Sequence, residues 1–349
     1  MNITMKDIAK MVGVSTNTVS RALNGKKEIS EETRKRIKEV AEELGYTPNS
    51  IAASLASRKT KVIGLITSDI EDPFHAQQVR GVEDTARERG YSVILFNTDE
   101  NPENELRAVN TFRSIRVAGI ILNSVFPGFQ HIERLRKQNT PFVLINRRLP
   151  DIDADYVIND NFNGEYEATK HLIGLGHVNI GLILGSQRIT SVRERQAGYS
   201  KAMIEAGLSI NPDYILYGKN LKPETGRELT ERLLAIKPRP TAILTYCDTL
   251  ALGTYAAAHQ ENLAIPEKLA IIGYDDVLIA SYLDVPLTTM SQPAYKMGQA
   301  ACDILLERIQ SSEEGLNLKD LPKKHLIFQP QLVIRKSCGA HAKRLHDGV

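Results

Sequence analysis

The chain has 349 residues, 42% hydrophobic and 25% charged, enough apolar material for folded cores and a length suited to two or three domains. Lys plus Arg number 44 against 42 Asp plus Glu, a formal +2, which excludes binding to nucleic acid by overall charge alone. Cys247, Cys302 and Cys338 form no CxxC pair, which argues against a disulfide framework or a cysteine-built zinc site and fits a reducing interior.

Lys6, Asp7 and Lys10 interrupt what would be the apolar core of a signal peptide, and no run approaches the roughly 18 apolar residues that cross a bilayer. The expectation is a cytoplasmic protein with no membrane partner. Charge is uneven: residues 1–61 hold 12 Lys/Arg and 7 Asp/Glu, and the remaining 288 hold 32 and 35. In the basic segment, Ile8-Met11-Val12, Val19-Ala22-Leu23 and Ile37-Val40-Ala41-Leu44 recur at helical spacing and predict three short helices. Thr4, Ser15 and Ser30 can cap them, and Gly13 and Gly45 supply breaks.

AKMVGVSTNTVSRALNG thus reads as a helix-turn-helix, with Ala9, Val14, Val19 and Leu23 buried between its helices. In such a motif the second helix, here 15–24, enters the major groove. Val19 and Leu23 set its buried side, leaving Thr16, Asn17, Ser20 and Arg21 exposed. Asn17 suits adenine, Arg21 a bidentate contact with guanine, and Thr16 a thymine methyl. Ser15, Thr18 and Thr4 suit phosphates, and Asn24 and Tyr46 complete the candidate DNA-binding set. The alternative is a helical hairpin whose charges are merely solvated.

In YTPNSIAASLASRKTK, Pro48 can open a helix on which Ile51, Ala52 and Leu55 share a face. So short a helix needs a partner chain or nucleic acid to order it. From residue 62, short apolar runs (VIGLIT, SVILFN, AGIILN, FVLIN) alternate with amphipathic stretches, and after LPDIDADYVINDN a second series follows (NIGLILG, YILYG, TAILTY, LAIIGYDD). The fold class is α/β: two doubly wound parallel-sheet lobes preceded by an all-α head.

MKDIAKMVGVSTNTVSRALNG, ISEETRKRIKEVAEELGYTPN and SIAASLAS closely resemble the head of the lactose/galactose repressor family, and DPFHAQQVRGVEDTARERGY, RQAGYSKAM, TAILTYCDTLALG, LAIIGYDD and PLTTMSQPAYKMGQAA resemble its later segments in order. The resemblance spans residues 3 to about 336. It implies a DNA-binding head at 1–47, a hinge helix and linker at 48–61, an effector-binding and dimerisation core at 62–336, and a tail at 337–349. It further implies a homodimeric transcriptional regulator, most simply a repressor, on a near-palindromic operator in double-stranded DNA. Thr16, Asn17 and Arg21 fall on the family's base-reading positions, Leu55 on its minor-groove wedge, and Ala52 beside it; packing between paired hinge helices is the other reading of Leu55. By the same resemblance, 77–89 and 97–116 are dimer surface.

The lobes resemble periplasmic sugar-binding proteins, which close about a ligand at the carboxyl ends of their strands. That implies an effector, a sugar or sugar derivative, held by Asp69, Phe74, Asn123 and Arg147 from the first lobe and Asp160, Ser191, Arg195, Leu221, Cys247, Asp248 and Asp275 from the second. LASRKTKVIGL and NTDENPENEL look nearest to the catabolite control protein branch. A phosphorylated carrier protein would then be a further partner. Thr16, however, stands where that branch carries a bulky apolar residue, and no carrier surface can be matched, so a small effector and no cofactor are expected.

No GxGxxG follows the first strand and no GxxxxGK[ST] occurs, so a nucleotide-using enzyme is not expected. His171 and His177 specify no metal site, and Ser186 lacks a GxSxG elbow. A solute-binding protein without DNA function would explain the lobes but leave the basic head unexplained.

Overall fold

A computed structural model describes residues 3–23, 28–46, 60–123, 130–149 and 152–340. The chain divides after Thr60 into two compact units. In the first, α1 (Met5–Val12), α2 (Thr16–Leu23) and α3 (Glu31–Glu43) enclose Ile8, Ala9, Val19, Ala22, Ile37 and Ala41. Val14 and Leu23, expected inside, are half-buried at the rim, and Ala22 takes the central place beside Val19. The turn between α1 and α2 works because Gly13 adopts φ 77° while its N–H bonds to Ala9 O, a conformation a side chain would strain.

The second unit contains two six-stranded sheets, ordered β11-β5-β4-β3-β1-β2 and β12-β10-β9-β8-β6-β7. In the first lobe β1 (Val62–Thr67), α4 (Pro73–Glu88), β2 (Ser92–Asn97), α5 (Pro102–Ser114), β3 (Gly119–Leu122), α6 (Gln130–Lys137), β4 (Phe142–Ile145) and β5 (Tyr156–Asn159) alternate in sequence. The second lobe runs α7 (Asn161–Gly174), β6 (Ile180–Leu184), α8 (Thr190–Glu205), β7 (Ile215–Tyr217), α9 (Pro223–Ala235), β8 (Ala242–Thr245), α10 (Asp248–Gln260), β9 (Ala270–Asp275) and β10 (Thr288–Ser291). Central strands such as VIGLIT, GIIL and AIIGYD are buried nearly throughout, as expected where helices cover both faces of a sheet.

The lobes are not consecutive stretches of chain. After β10 the chain returns to the first lobe as α11 (Ala294–Glu313), which packs on α4, β3 and β4. It then adds β11 (His325–Phe328) parallel to β5, and crosses back as β12 (Gln331–Val333), antiparallel to β10. Three passages therefore join the lobes, all on the β5/β11 side of one sheet and the β10/β12 side of the other. Nor does the core end at 336: Ser337 Oγ donates to Ile271 O (2.6 Å) and accepts from Thr288 N (2.8 Å), and Cys338 is buried beneath the second lobe. The expected hinge helix, with Ala52 and Leu55, lies outside the described residues, as do Asn24 and residues 341–349.

Candidate DNA-reading face and interlobe ligand site

Ser15 precedes α2 and its Oγ accepts from Thr18 N (3.0 Å) and lies 2.8 Å from Thr18 Oγ1, so both hydroxyls are engaged in capping the helix that carries the reading face. With Val19 and Ala22 turned inward, Thr16, Asn17 and Arg21 are exposed and Ser20 is half-buried. Arg21 pairs with Glu28 at 2.8 Å, both side chains about half exposed or more. Such a pair contributes little and leaves the guanidinium available to a base edge. Thr4 donates through N (2.9 Å) and Oγ1 (2.7 Å) to Asp7, whose carboxyl is held below its usual range by these bonds. Tyr46 is half-buried against the head core.

Between the lobes lies a cavity at the carboxyl ends of β1, β4, β5, β8, β9 and β10, where parallel sheets bind ligands. Phe74, Arg147, Ser191, Arg195, Leu221, Cys247 and Asp275 from the sequence-derived set line it. The loop after β1 is fixed by Asp72, which caps α4 by accepting from Phe74 N at 2.9 Å, and this puts the buried Phe74 ring against the cavity. Arg195 on α8 lies with its guanidinium carbon 3.4 Å from the Tyr274 ring centroid and 4.3 Å from that of Tyr246. Its Nε donates to Asn161 Oδ1 (3.1 Å) and its Nη1 to Tyr246 O. Arg147 is steadied by Glu100 at 2.9 Å, and Ser191 Oγ meets Tyr246 OH at 2.9 Å.

Asp275 ends β9 at φ 119°, a backbone conformation that costs free energy and concentrates at functional sites. Burial, with Asp72 and Asp248 nearby, raises its carboxyl well above the usual range. Gln292 Nε2 donates to it, and Asn159 Nδ2 donates to Gln292 Oε1. Asn159 Oδ1 has no partner. The cavity carboxylate is thus linked by hydrogen bonds to two of the three interlobe passages.

Four residues of the expected effector set stand elsewhere. Asp69 faces Lys222 across the cleft mouth, with Oδ2 2.9 Å from Nζ. Asn123 lies behind the lining, donating to Ser68 Oγ (3.0 Å) and facing His75 Nε2 (3.1 Å). Asp160 caps α7 by accepting from Asn163 N at 3.1 Å. Asp248 is fully buried, accepting from Val277 N (2.9 Å) and Thr289 Oγ1 (2.7 Å), and so ties α10 to β10 and to the loop after β9. A carboxylate at a strand end can cap or tie as readily as bind.

Sequence reasoning missed Asp72, His75, Asn146, Asn159, Asn161, Tyr246 and Gln292 in the lining. Most adjoin a residue it did select, and Gln292 directly follows β10. Asn146 adopts φ 66° and exchanges amide hydrogen bonds with Gln78. His75 Nδ1 faces Asp69 O at 3.1 Å, and burial lowers the ring below the usual histidine value. Among the described residues no group of three His, Cys, Asp or Glu could hold a metal, and no helix is long and apolar enough to cross a membrane.

Comparison with known proteins matches residues 4–49 to the bacterial regulatory proteins of the lacI family and residues 60–326 to the periplasmic binding proteins and sugar binding domain of that family. The HTH-type transcriptional repressor PurR of Haemophilus influenzae (strain PittEE) is 36% identical over 334 residues, 96% of this chain and 98% of the relative. Among solved structures, the lac repressor dimer bound to operator and the anti-inducer ONPF matches with a TM-score of 0.85 and 27% identity, over 97% of this chain and 99% of that one. The transcriptional regulator CelR in complex with cellobiose matches at 0.73 and 28%, over 96% and 99%. A helix-turn-helix head, two α/β lobes and these relatives agree across nearly the whole length, and the chain belongs to the lacI family of bacterial regulatory proteins.

Proposed function

We propose that the protein is a homodimeric cytoplasmic repressor whose operator affinity is set by a small ligand, a sugar or sugar derivative, held between its lobes. The observation that carries this reading is Arg195 stacked between Tyr246 and Tyr274 in a cavity that Asp275 also lines, on a chain that begins with a helix-turn-helix. A donor fork, an acid, several amides and an aromatic wall suit a hydroxyl-rich molecule. The lac repressor relative, a dimer on its operator, and the cellobiose-bound CelR relative support it. Linkage sets the mechanism: a ligand alters DNA affinity only by its preference for one lobe arrangement over another. The protein needs no cofactor for this and turns nothing over. The cavity's one thiol, Cys247, is held protonated by burial and so makes a poor nucleophile.

The test is retention of DNA fragments, including the region upstream of its own gene, at about 0.1 M salt, where phosphate contacts are strong. The full chain should select a near-palindromic site, and Arg21→Ala should weaken that site by about 1–3 kcal/mol, the worth of a bidentate base contact. Equal retention of all fragments by both proteins would contradict the reading.

A further inference from the structure

The cavity holds only about 30 Å³ of free volume, room for a water or two, so a ligand larger than that can enter or leave only if the lobes part. The three passages between lobes all run along the β5/β11 and β10/β12 edges. Opening therefore separates most widely the atoms at the far edges, near β1 and β2 in one sheet and β6 and β7 in the other. There Lys222, in the loop between β7 and α9, reaches across to the loop after β1. Its Nζ lies 2.9 Å from Asp69 Oδ2 and 2.6 Å from Glu71 Oε2. Asp69 is pre-set for this contact, because its other oxygen accepts from Glu71 N at 2.9 Å.

The neighbours of these residues in sequence, Asp72 and Leu221, line the cavity itself, so the ion triad stands beside it. A second ion pair between the lobes, Arg148 with Glu194 at 3.0 Å, is bound to a passage: Asn161 Nδ2 donates to Glu194 Oε2 at 3.1 Å. It lies close to the pivot and has little leverage.

We infer that Lys222 with Asp69 and Glu71 forms an electrostatic clasp that biases the lobes toward closure and must break for ligand exchange. It rests on the reading of the cleft as the ligand site. The Lys222 side chain is 37% exposed and that of Glu71 78%, so the clasp is open to screening by salt. An exposed ion pair shifts a two-state ratio by up to about fivefold, enough to change a poised equilibrium without locking it.

The experiment measures lobe separation in the full chain by pulsed electron spin resonance, with labels on Arg134→Cys in α6, outside the expected dimer surface, and Glu228→Cys in α9, both exposed. Labelled subunits are diluted with unlabelled ones so that only distances within one chain are read. At about 0.1 M salt the parent should give a short, narrow distribution that lengthens and broadens toward about 1 M, as the Debye length falls from about 10 to about 3 Å. Lys222→Met, and separately Asp69→Asn with Glu71→Gln, should give the longer distribution at both salts. Variants that match the parent at both salts, or a parent indifferent to salt, would overturn the clasp. Spacing is read without DNA or added ligand, so this outcome is independent of whether an operator is found.

Discussion

Glu165, on α7, is 1% exposed, with Oε1 unpartnered and Arg195 as the cation that opposes its desolvation. Burial pushes its carboxyl from 4.5 up to about 7. An acid whose folded value is raised favours the folded state fully below the unfolded value, and that stability is lost as pH rises from about 4.5 through about 7. The size is about 3 kcal/mol by the standard conversion. Glu165→Gln should therefore flatten melting temperature against pH in this window. Asp248, likewise pushed up to about 7 by burial, adds to the slope of the same sign that Asp275 contributes, and Asp248→Asn should reduce it further without removing it. A Glu165→Gln profile parallel to that of the parent would contradict the assignment. Tyr274 OH, also buried and unpartnered, lies against Gly164, where an added Cβ would stand 2.2 Å from the hydroxyl. The residues behind Arg195 are thus packed to hold its two tyrosine faces in place rather than to satisfy every polar atom.

Packing between elements depends on close approach. α4 and α11 meet through Gly81 and Gly298, where an added Cβ would lie 2.1 Å from Tyr295 O and 2.1 Å from Gln78 O. Those are backbone atoms and cannot step aside. Gly298→Ala should cost about 1–3 kcal/mol or more and lower the urea midpoint without changing the slope, whereas Gly174→Ala, with open space around it, should not. Equal midpoints would refute the close-packing account. In the head, Ser15→Ala should cost about 1 kcal/mol through loss of the α2 cap, measured as faster amide exchange in α2.

These elements were legible in sequence because each carries its own signal. Periodicity announced α1, α2 and α3, and runs such as VIGLIT and LAIIGYD announced buried strands. What was not legible was the sheet to which 294–313 and 325–328 belong. Hydrophobic spacing specifies a helix or strand but not its destination, so α11 and β11 could not be assigned to the first lobe. For the same reason Ser337 and Cys338, two residues of modest hydropathy, gave no sign that they complete the second-lobe core.

Across the chain as a whole, a helix-turn-helix head precedes two lobes joined by three passages. The interlobe cavity was legible in outline, because strand ends in a parallel sheet predict where a cavity forms. Seven of eleven expected residues line it. Asp69, Asn123, Asp160 and Asp248 were not separable from these in sequence, since clasp, back-up, cap and tie all use the same polar side chains at the same strand ends. The amides Asn146, Asn159, Asn161 and Gln292 line the cavity but carry no sequence signal that separates a lining residue from a capping one at a strand end. Yet Asn159 and Gln292 connect Asp275 by hydrogen bonds to two of the three passages that join the lobes.

The most direct test of the account is an operator titration by fluorescence anisotropy, with and without a ligand first found by thermal shift among neutral sugars, phosphosugars and nucleobases. The ligand should change operator affinity by about 5- to 150-fold, the usual range of a coupling free energy. Arg195→Ala and Asp275→Asn should abolish that change while leaving ligand-free operator binding near the parent value. A ligand that binds the parent through these residues yet leaves operator affinity the same would contradict the account.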